Sequence, residues 1–327
     1  MASLVAVEQP RTILLAETST DSTHPDVPLE KAPLLDTEVA IFKEEPLTAS
    51  MRNTVRHLIS IGGAGARWRG LGASITYHIA HSVCMNLVCA MFGQSSPTIY
   101  ARIPYCVAWI LSGVFLSTIH ATWTQVMISQ PSALPWWKRI SGGRQMYKAL
   151  ILPSLVYAVA QLALVMIPFA IFSAFAPAVA YGREFVAEDQ KRAIAGAISA
   201  LGAAFFIGLA VVLPASVTLT RVEASLLPED QEIIVNFDRT LGGAAISSTR
   251  LATSDYTAMF VGAWKSFDRA SRARLIKFYV KMSLLLSFIV FAGVMAVTCE
   301  ILAFGPERLK TFALATVAQL EQMASGN

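Results

Sequence analysis

Charge is what this chain has least of. Asp, Glu, Lys and Arg make up 15% of its 327 residues, against roughly 25% in a soluble globular protein. A chain that faced water over its whole surface would carry more. Cysteine is sparse too. Cys84, Cys89, Cys106 and Cys299 contain no CxxC pair, so neither a disulfide framework nor a zinc site is indicated. No Asn-x-Ser/Thr sequon occurs, so glycosylation marks no lumenal segment. Basic runs interleaved with aromatics are missing, which removes nucleic acid as an expected partner. The first fifty residues lack a basic start followed by an apolar core, so they do not read as a signal peptide. Glu8, Glu17, Asp21, Asp26 and Glu30 interrupt any basic amphipathic presequence.

What the chain does have is long apolar runs. Five lie between Leu71 and Phe304, at about Leu71–Phe92, Pro104–Ser129, Ala149–Phe172, Ala193–Leu219 and Phe278–Phe304. Each approaches the ~20 apolar residues needed to cross ~30 Å of hydrocarbon. The expected fold is all-α: a five-span transmembrane helix bundle with interfacial amphipathic helices. Pro168 lies inside the third run and predicts a kink.

The predicted organisation is a disordered cytosolic tail over 1–47, then an interfacial amphipathic helix and glycine break over 48–70. The bundle occupies 71–304 and includes a cytosolic loop, 220–277. A short tail over 305–327 lies across the membrane. The tail's mixture of Ser, Thr, Pro and acids cannot bury enough apolar surface to offset its ordering entropy. In the next segment Met51, Val55, Leu58 and Ile59 share a face, and Arg52 and Arg56 lie beside it. That is the pattern of a helix lying on a membrane surface. A second such helix is expected at 256–276, with Tyr256, Met259, Phe260, Trp264 and Phe267 on one face among basic residues.

Lys and Arg placement sets the orientation. Arg52, Arg56, Arg67, Arg69, Lys138, Arg139, Arg144, Lys148 and most basic residues of 220–277 fall on one side of a five-span chain. Few fall on the other. The expected N-terminus is therefore cytosolic and the C-terminus lumenal or extracellular, in the endomembrane system or plasma membrane.

Three histidines are the sharpest chemical candidates. His78 and His81 are three apart in the first run, and His120 lies in the second, which runs the opposite way. At 1.5 Å per residue all three sit roughly 10–15 Å into the bilayer. Ionisable groups at that depth are functional candidates. Three imidazoles at matched depth suit a transition metal or a haem iron. They equally suit neutral hydrogen bonds across a helix interface, with Asn86, Thr124 or Gln125 as partners. Five histidines in total are too few for the histidine boxes of diiron lipid hydroxylases and desaturases. The carboxylates add nothing: no run interior holds a pair of acids, as acid–base chemistry would require.

Two further patterns stand out. Gly196, Ala200, Ala204 and Gly208 recur every four residues in the fourth run. Such a stripe lets helix backbones approach closely, within the bundle or in a homo-oligomer. In the N-terminal segment Glu30-Lys-Ala-Pro-Leu34-Leu35 fits an acidic dileucine sorting signal. Its alternative is a solvated tail with two incidental leucines. The segment Ile233–Phe237 has β-propensity without a visible partner strand, and the 220–277 loop is a candidate surface for a protein partner.

Three motifs together carry a resemblance: Ala101-Arg-Ile-Pro-Tyr-Cys-Val-Ala-Trp109, Trp123-Thr-Gln-Val-Met-Ile-Ser-Gln-Pro131 with Trp136-Trp-Lys-Arg139, and Pro214-Ala-Ser-Val-Thr-Leu-Thr-Arg-Val-Glu-Ala-Ser-Leu-Leu-Pro228. Over residues 50–305 the chain resembles a family of filamentous-fungal multi-pass membrane proteins, some of which carry ubiquitin-related names. The resemblance implies topology and fungal origin, and no activity. Every cysteine lies in or beside an apolar run, which does not suit ubiquitin conjugation. The function expected is a non-catalytic accessory or scaffold role in the lipid bilayer, with no cofactor. The alternatives are an intramembrane metal- or haem-dependent redox enzyme built on His78, His81 and His120, and a small-molecule transporter.

Overall fold

The computed structural model describes residues 2–9, 12–15, 40–43, 46–92, 102–132, 134–140, 143–177, 189–228, 230–241 and 256–305. Helix dominates. The helices are α1 (Ala2–Val7), α2 (Met51–Gly62), α3 (Leu71–Met91), α4 (Arg102–Phe115) and α5 (Ser117–Ile128). They continue with α6 (Arg144–Phe175), α7 (Asp189–Ile207), α8 (Leu213–Ser225), α9 (Tyr256–Lys265) and α10 (Arg269–Phe304). A short antiparallel pair joins β1 (Thr12–Leu15) to β2 (Ala40–Lys43), with Thr12 opposite Lys43. The chain divides into two compact units, Met1–Arg274 and Leu275–Asn327.

Among the described residues, three helices are long and apolar enough to cross a membrane: Arg144–Phe175, Gln190–Ser225 and Arg269–Glu300. The α4 and α5 helices pass the same test only together, bent by 55° at their junction. By length and composition the count among the described residues is therefore three to four, where the apolar runs predicted five. Two physical reasons account for the difference. In α3, Tyr77, His78, His81 and Asn86 dilute a helix that at 21 residues is long enough. In the second run, the chain leaves helical geometry at Leu116 (φ −91°, ψ 13°). Ser112, Gly113 and Ser117 surround that point, and Gly/Ser pairs are a usual cause of sharp bends. Gly113 also lies against α6, where an added Cβ would meet that of Ala158 at 3.2 Å.

The fourth run extends past its expected end. Residues 190–225 form one continuous helical segment, widened to a π-helix over Gly208–Val212 just before Pro214. Pro214 has no N–H and its ring crowds the preceding turn, so a widened turn relieves it. By contrast α6 stays helical through both Pro153 and Pro168.

In the first unit the helix ends assigned to the same side by Lys and Arg come together. Met146, Ala149 and Leu150 at the start of α6 pack with Leu219 and Val222 near the end of α8. Ala121, Leu241, Met259 and Ala263 complete that cluster. Of the face expected to lie on the membrane at 256–276, Met259 and Phe267 are buried core, Phe260 is half-buried and Trp264 is exposed. A break at residues 266–268 separates α9 from α10.

A second cluster joins Leu4 and Val7 of α1 to Ile128, Ala224 and Val235. The reading of residues 1–47 as one disordered tail does not describe residues 2–9. Leu4, Val5, Ala6 and Val7 are buried, and Gln9 N–H donates to the Asn236 carbonyl at 2.9 Å. The reason is local composition: Ala2-Ser-Leu-Val-Ala-Val7 is as apolar as a core helix, whatever follows it. Ile233 also finds its partner. It forms an antiparallel bridge with Ser129, flanked by Ile234 N–H to Ile128 O at 2.9 Å and Gln130 N–H to Glu232 O at 2.8 Å.

In the second unit, Leu284, Leu285, Leu286, Phe288, Ile289, Val290 and Phe291 of α10 are all exposed. An apolar surface on every side of a helix is stable in lipid and not in water.

Candidate functional site

The polar groups inside the first unit centre on α5 and α8. His120 Nδ1 lies 2.5 Å from Glu223 Oε1, and the Glu223 side chain is 0% exposed. Gln125, five residues beyond His120, donates from Nε2 to the Glu223 carbonyl oxygen at 3.1 Å. The two contacts tie the first turn of α5, through His120, and its last, through Gln125, to the last turn of α8. The second carboxylate oxygen, Oε2, is buried without a hydrogen-bond partner.

Aromatic rings close around the imidazole. Tyr77 of α3 meets His120 edge-on with centroids 5.1 Å apart, Trp123 does so at 5.4 Å, and Tyr157 of α6 tilts toward it at 6.0 Å. Four helices thus converge on one side chain. The negative faces and positive edges of such rings favour these tilted geometries.

The other two histidines go elsewhere. His81 Nε2 lies 3.0 Å from Ser112 Oγ and packs on Trp109. His78 is exposed and touches Trp123 edge-on at 5.6 Å. Tyr77 contacts all three imidazoles, so they are neighbours around a phenol. They do not share a common point as metal ligands do. Among the described residues no group of three His, Cys, Asp or Glu side chains is placed to hold a metal ion. Of the partners expected for them, Gln125 bonds to the Glu223 backbone and Asn86 is exposed.

Glu223 and Arg221 are the residues that the sequence reading missed. Both were placed in the 220–277 loop, whereas α8 carries them to Ser225 and buries them. Arg221 is 1% exposed. Its Nη1 donates to Ala6 O at 2.9 Å, its Nε to Ser266 Oγ at 3.2 Å and its Nη2 to Ser266 O at 3.3 Å. The guanidinium carbon stands 5.3 Å from the Phe237 ring centre and 5.8 Å from that of Phe267. One cation thereby binds α1, α8 and the α9–α10 turn together. The helical continuity of Pro214–Ser225, with Val217 and Leu219 before the charges and Val222 between them, was the signal available.

A rim of arginines completes this end. Arg69 Nη2 donates to Val126 O at 3.1 Å and also to Ser129 O. Arg139 Nη2 donates to Ser129 Oγ at 2.6 Å and to Gln231 Oε1. Burial pushes the Arg69 guanidinium below its ordinary value, and the charge of Arg139 adds to that. Burial lowers Arg139 as well, while Asp230 acts in the opposite direction. Arg239 caps Leu227 O, Pro228 O and Gln231 O at 3.2, 3.3 and 2.5 Å. These arginines satisfy carbonyls at helix ends and turns.

The small-residue stripe of α7 meets α6. A Cβ on Gly196 would lie 2.7 Å from Phe175 Cβ, and one on Gly208 would lie 3.9 Å from Leu164 Cδ1. Ala200 and Ala204 are half-buried between them. On the other side of α7, Ile198, Leu201 and Phe206 are exposed. Glu30, Leu34 and Leu35 lie outside the described residues.

No protein-family model matches the sequence, and no curated protein matches it.

Proposed function

We propose that the chain is a non-catalytic accessory or scaffold protein of a cellular membrane, with five crossings and a cytosolic N-terminus. The crossings are α3, the bent α4–α5 pair, α6, the segment 190–225 and α10. The bent pair is counted as one broken span and α3 as a polar span, with Tyr77 and His81 half-buried against neighbouring helices. In this reading α2 lies at the cytosolic interface and the segment after Ser225, up to Leu241, is the cytosolic cap that partners meet.

The observation that carries the non-catalytic reading is the His120–Glu223 contact. A charge within a membrane costs several kcal/mol unless it is paired. Here the imidazole and the carboxylate pair with each other, at the point where four helices meet. Arg221 likewise uses its donors on Ala6 and Ser266. The ionisable groups act as ties between helices.

Purification in mild detergent, followed by an absorption spectrum and elemental analysis, tests this. The expected result is protein absorbance alone and no stoichiometric metal. A Soret band, or about one iron, copper or zinc per chain, would assign the protein to the redox class instead. Substrate flux in vesicles would assign it to the transporters.

A further inference from the structure

The α2 helix has three rows. Successive residues turn by about 100° around a helix, so rows at four-residue spacing lie side by side. Thr54 and Leu58 form the inward row. Thr54 Oγ1 donates to Leu47 O at 3.0 Å and Ser50 O at 2.9 Å, and Leu58 packs on the cluster of Leu4, Val7, Ile128, Ala224 and Val235. Met51, Val55 and Ile59 form the next row, and all three are exposed, Val55 at 46%. Arg52 and Arg56 form the row beyond, also exposed. The helix holds no acidic residue. The inward row fixes the other two, because its anchors include the last residues of α5 and α8. The exposed rows therefore stand at the end of the membrane-crossing helices, on a helix that ends eight residues short of α3.

We propose that the Met51–Val55–Ile59 row, with Arg52 and Arg56 beside it, docks on an anionic lipid headgroup surface. The inference rests on the five-span membrane reading above. An apolar row flanked by cations and free of anions matches a leaflet whose acyl chains lie beneath negative headgroups. The same rows could receive an acidic protein surface. The placement at the membrane end of α5 and α8 favours lipid.

The test uses the full chain in nanodiscs of phosphatidylcholine alone and of phosphatidylcholine with phosphatidylserine. A spin label is placed by Val55→Cys after the four native cysteines are replaced. In discs with phosphatidylserine it is expected to be open to oxygen and shielded from an aqueous nickel reagent. Arg52→Glu with Arg56→Glu should reverse that preference. On the unmodified chain, amide exchange across residues 51–62 should be several-fold slower in the anionic discs. Equal label depth and equal exchange in both discs would overturn anionic recognition and leave the interfacial reading standing. A label facing water in both discs would overturn the two together and favour a protein partner.

Discussion

Arg221 Nη1 donates to the carbonyl oxygen of Ala6 across 2.9 Å, joining residues 215 positions apart. The guanidinium sits at the end of an apolar helix, where a loop residue was expected. Its remaining donors go to Ser266, and two phenylalanine rings flank it. The N-terminal helix is thus secured by the same cation that closes the α9–α10 turn.

Truncating that side chain should be costly. Arg221→Ala leaves the Ala6 and Ser266 oxygens buried without their donor, and hydrogen bonds to charged groups contribute about 1.5–3 kcal/mol each. Thermal unfolding in detergent should fall clearly. Proteolysis should also begin to cut within residues 2–9. Arg221→Lys should recover only part of the loss, since an ammonium cannot span both acceptors with fixed fork geometry. A variant that unfolds like the parent would remove the tie.

Two glycines on one helix should respond oppositely. At Gly196 a Cβ would meet Phe175 Cβ at 2.7 Å, whereas at Gly202 nothing lies within 4 Å. Overpacking typically costs about 1–3 kcal/mol, so Gly196→Ala should lower thermal stability and Ala204→Leu should follow it. Gly202→Ala removes only unfolded-state freedom and should stabilise by about 0.4–1 kcal/mol. Equal responses at the two glycines would contradict a contact face between α6 and α7.

The apolar runs were legible because length and composition alone define them. The meeting of α5, α6 and α8 ends was legible through Lys and Arg, since loops on one side must share an end. Glu223 was not. A Glu that follows Arg221 by two residues reads as a solvated loop charge. Only the placement of His120, 103 positions away, turns it into a buried partner. The bend at Leu116 was masked because Ser112, Gly113 and Ser117 are small and leave the run apolar on average. The burial of α1 was hidden by averaging five apolar residues and a serine into a polar tail. Ile233 has a partner that is itself no strand, so no pattern of alternation announced it.

Orientation can be checked chemically. The basic rim of Arg69, Arg139 and Arg239 lies at one end of the first unit, and positive loops stay cytosolic. A cysteine introduced beside Asn327, in a background without the native cysteines, should be labelled only from the non-cytosolic face of sealed vesicles. One introduced beside Gln231 should be labelled only from the cytosolic face. Both cysteines labelled from the cytosolic face would mean an even number of crossings between them and the loss of one predicted span.

The three histidines should separate in rank. His120→Ala leaves Glu223 buried and unpaired, and breaking a buried pair from one side costs about 3–5 kcal/mol. His81→Ala removes one neutral bond to Ser112, a class that averages about 0.6 kcal/mol between membrane helices. His78→Ala removes an exposed ring and should stay within about 0.5 kcal/mol of the parent. Replacing both His120 and Glu223 by apolar residues should cost less than the sum of the single changes, because no charge is then stranded. Thermal unfolding of the set in one detergent reads all of these. Ligands of one metal would behave otherwise. Each single change would then release the ion and destabilise to a similar extent, so three matching losses accompanied by a released metal would replace the structural role with a metal centre.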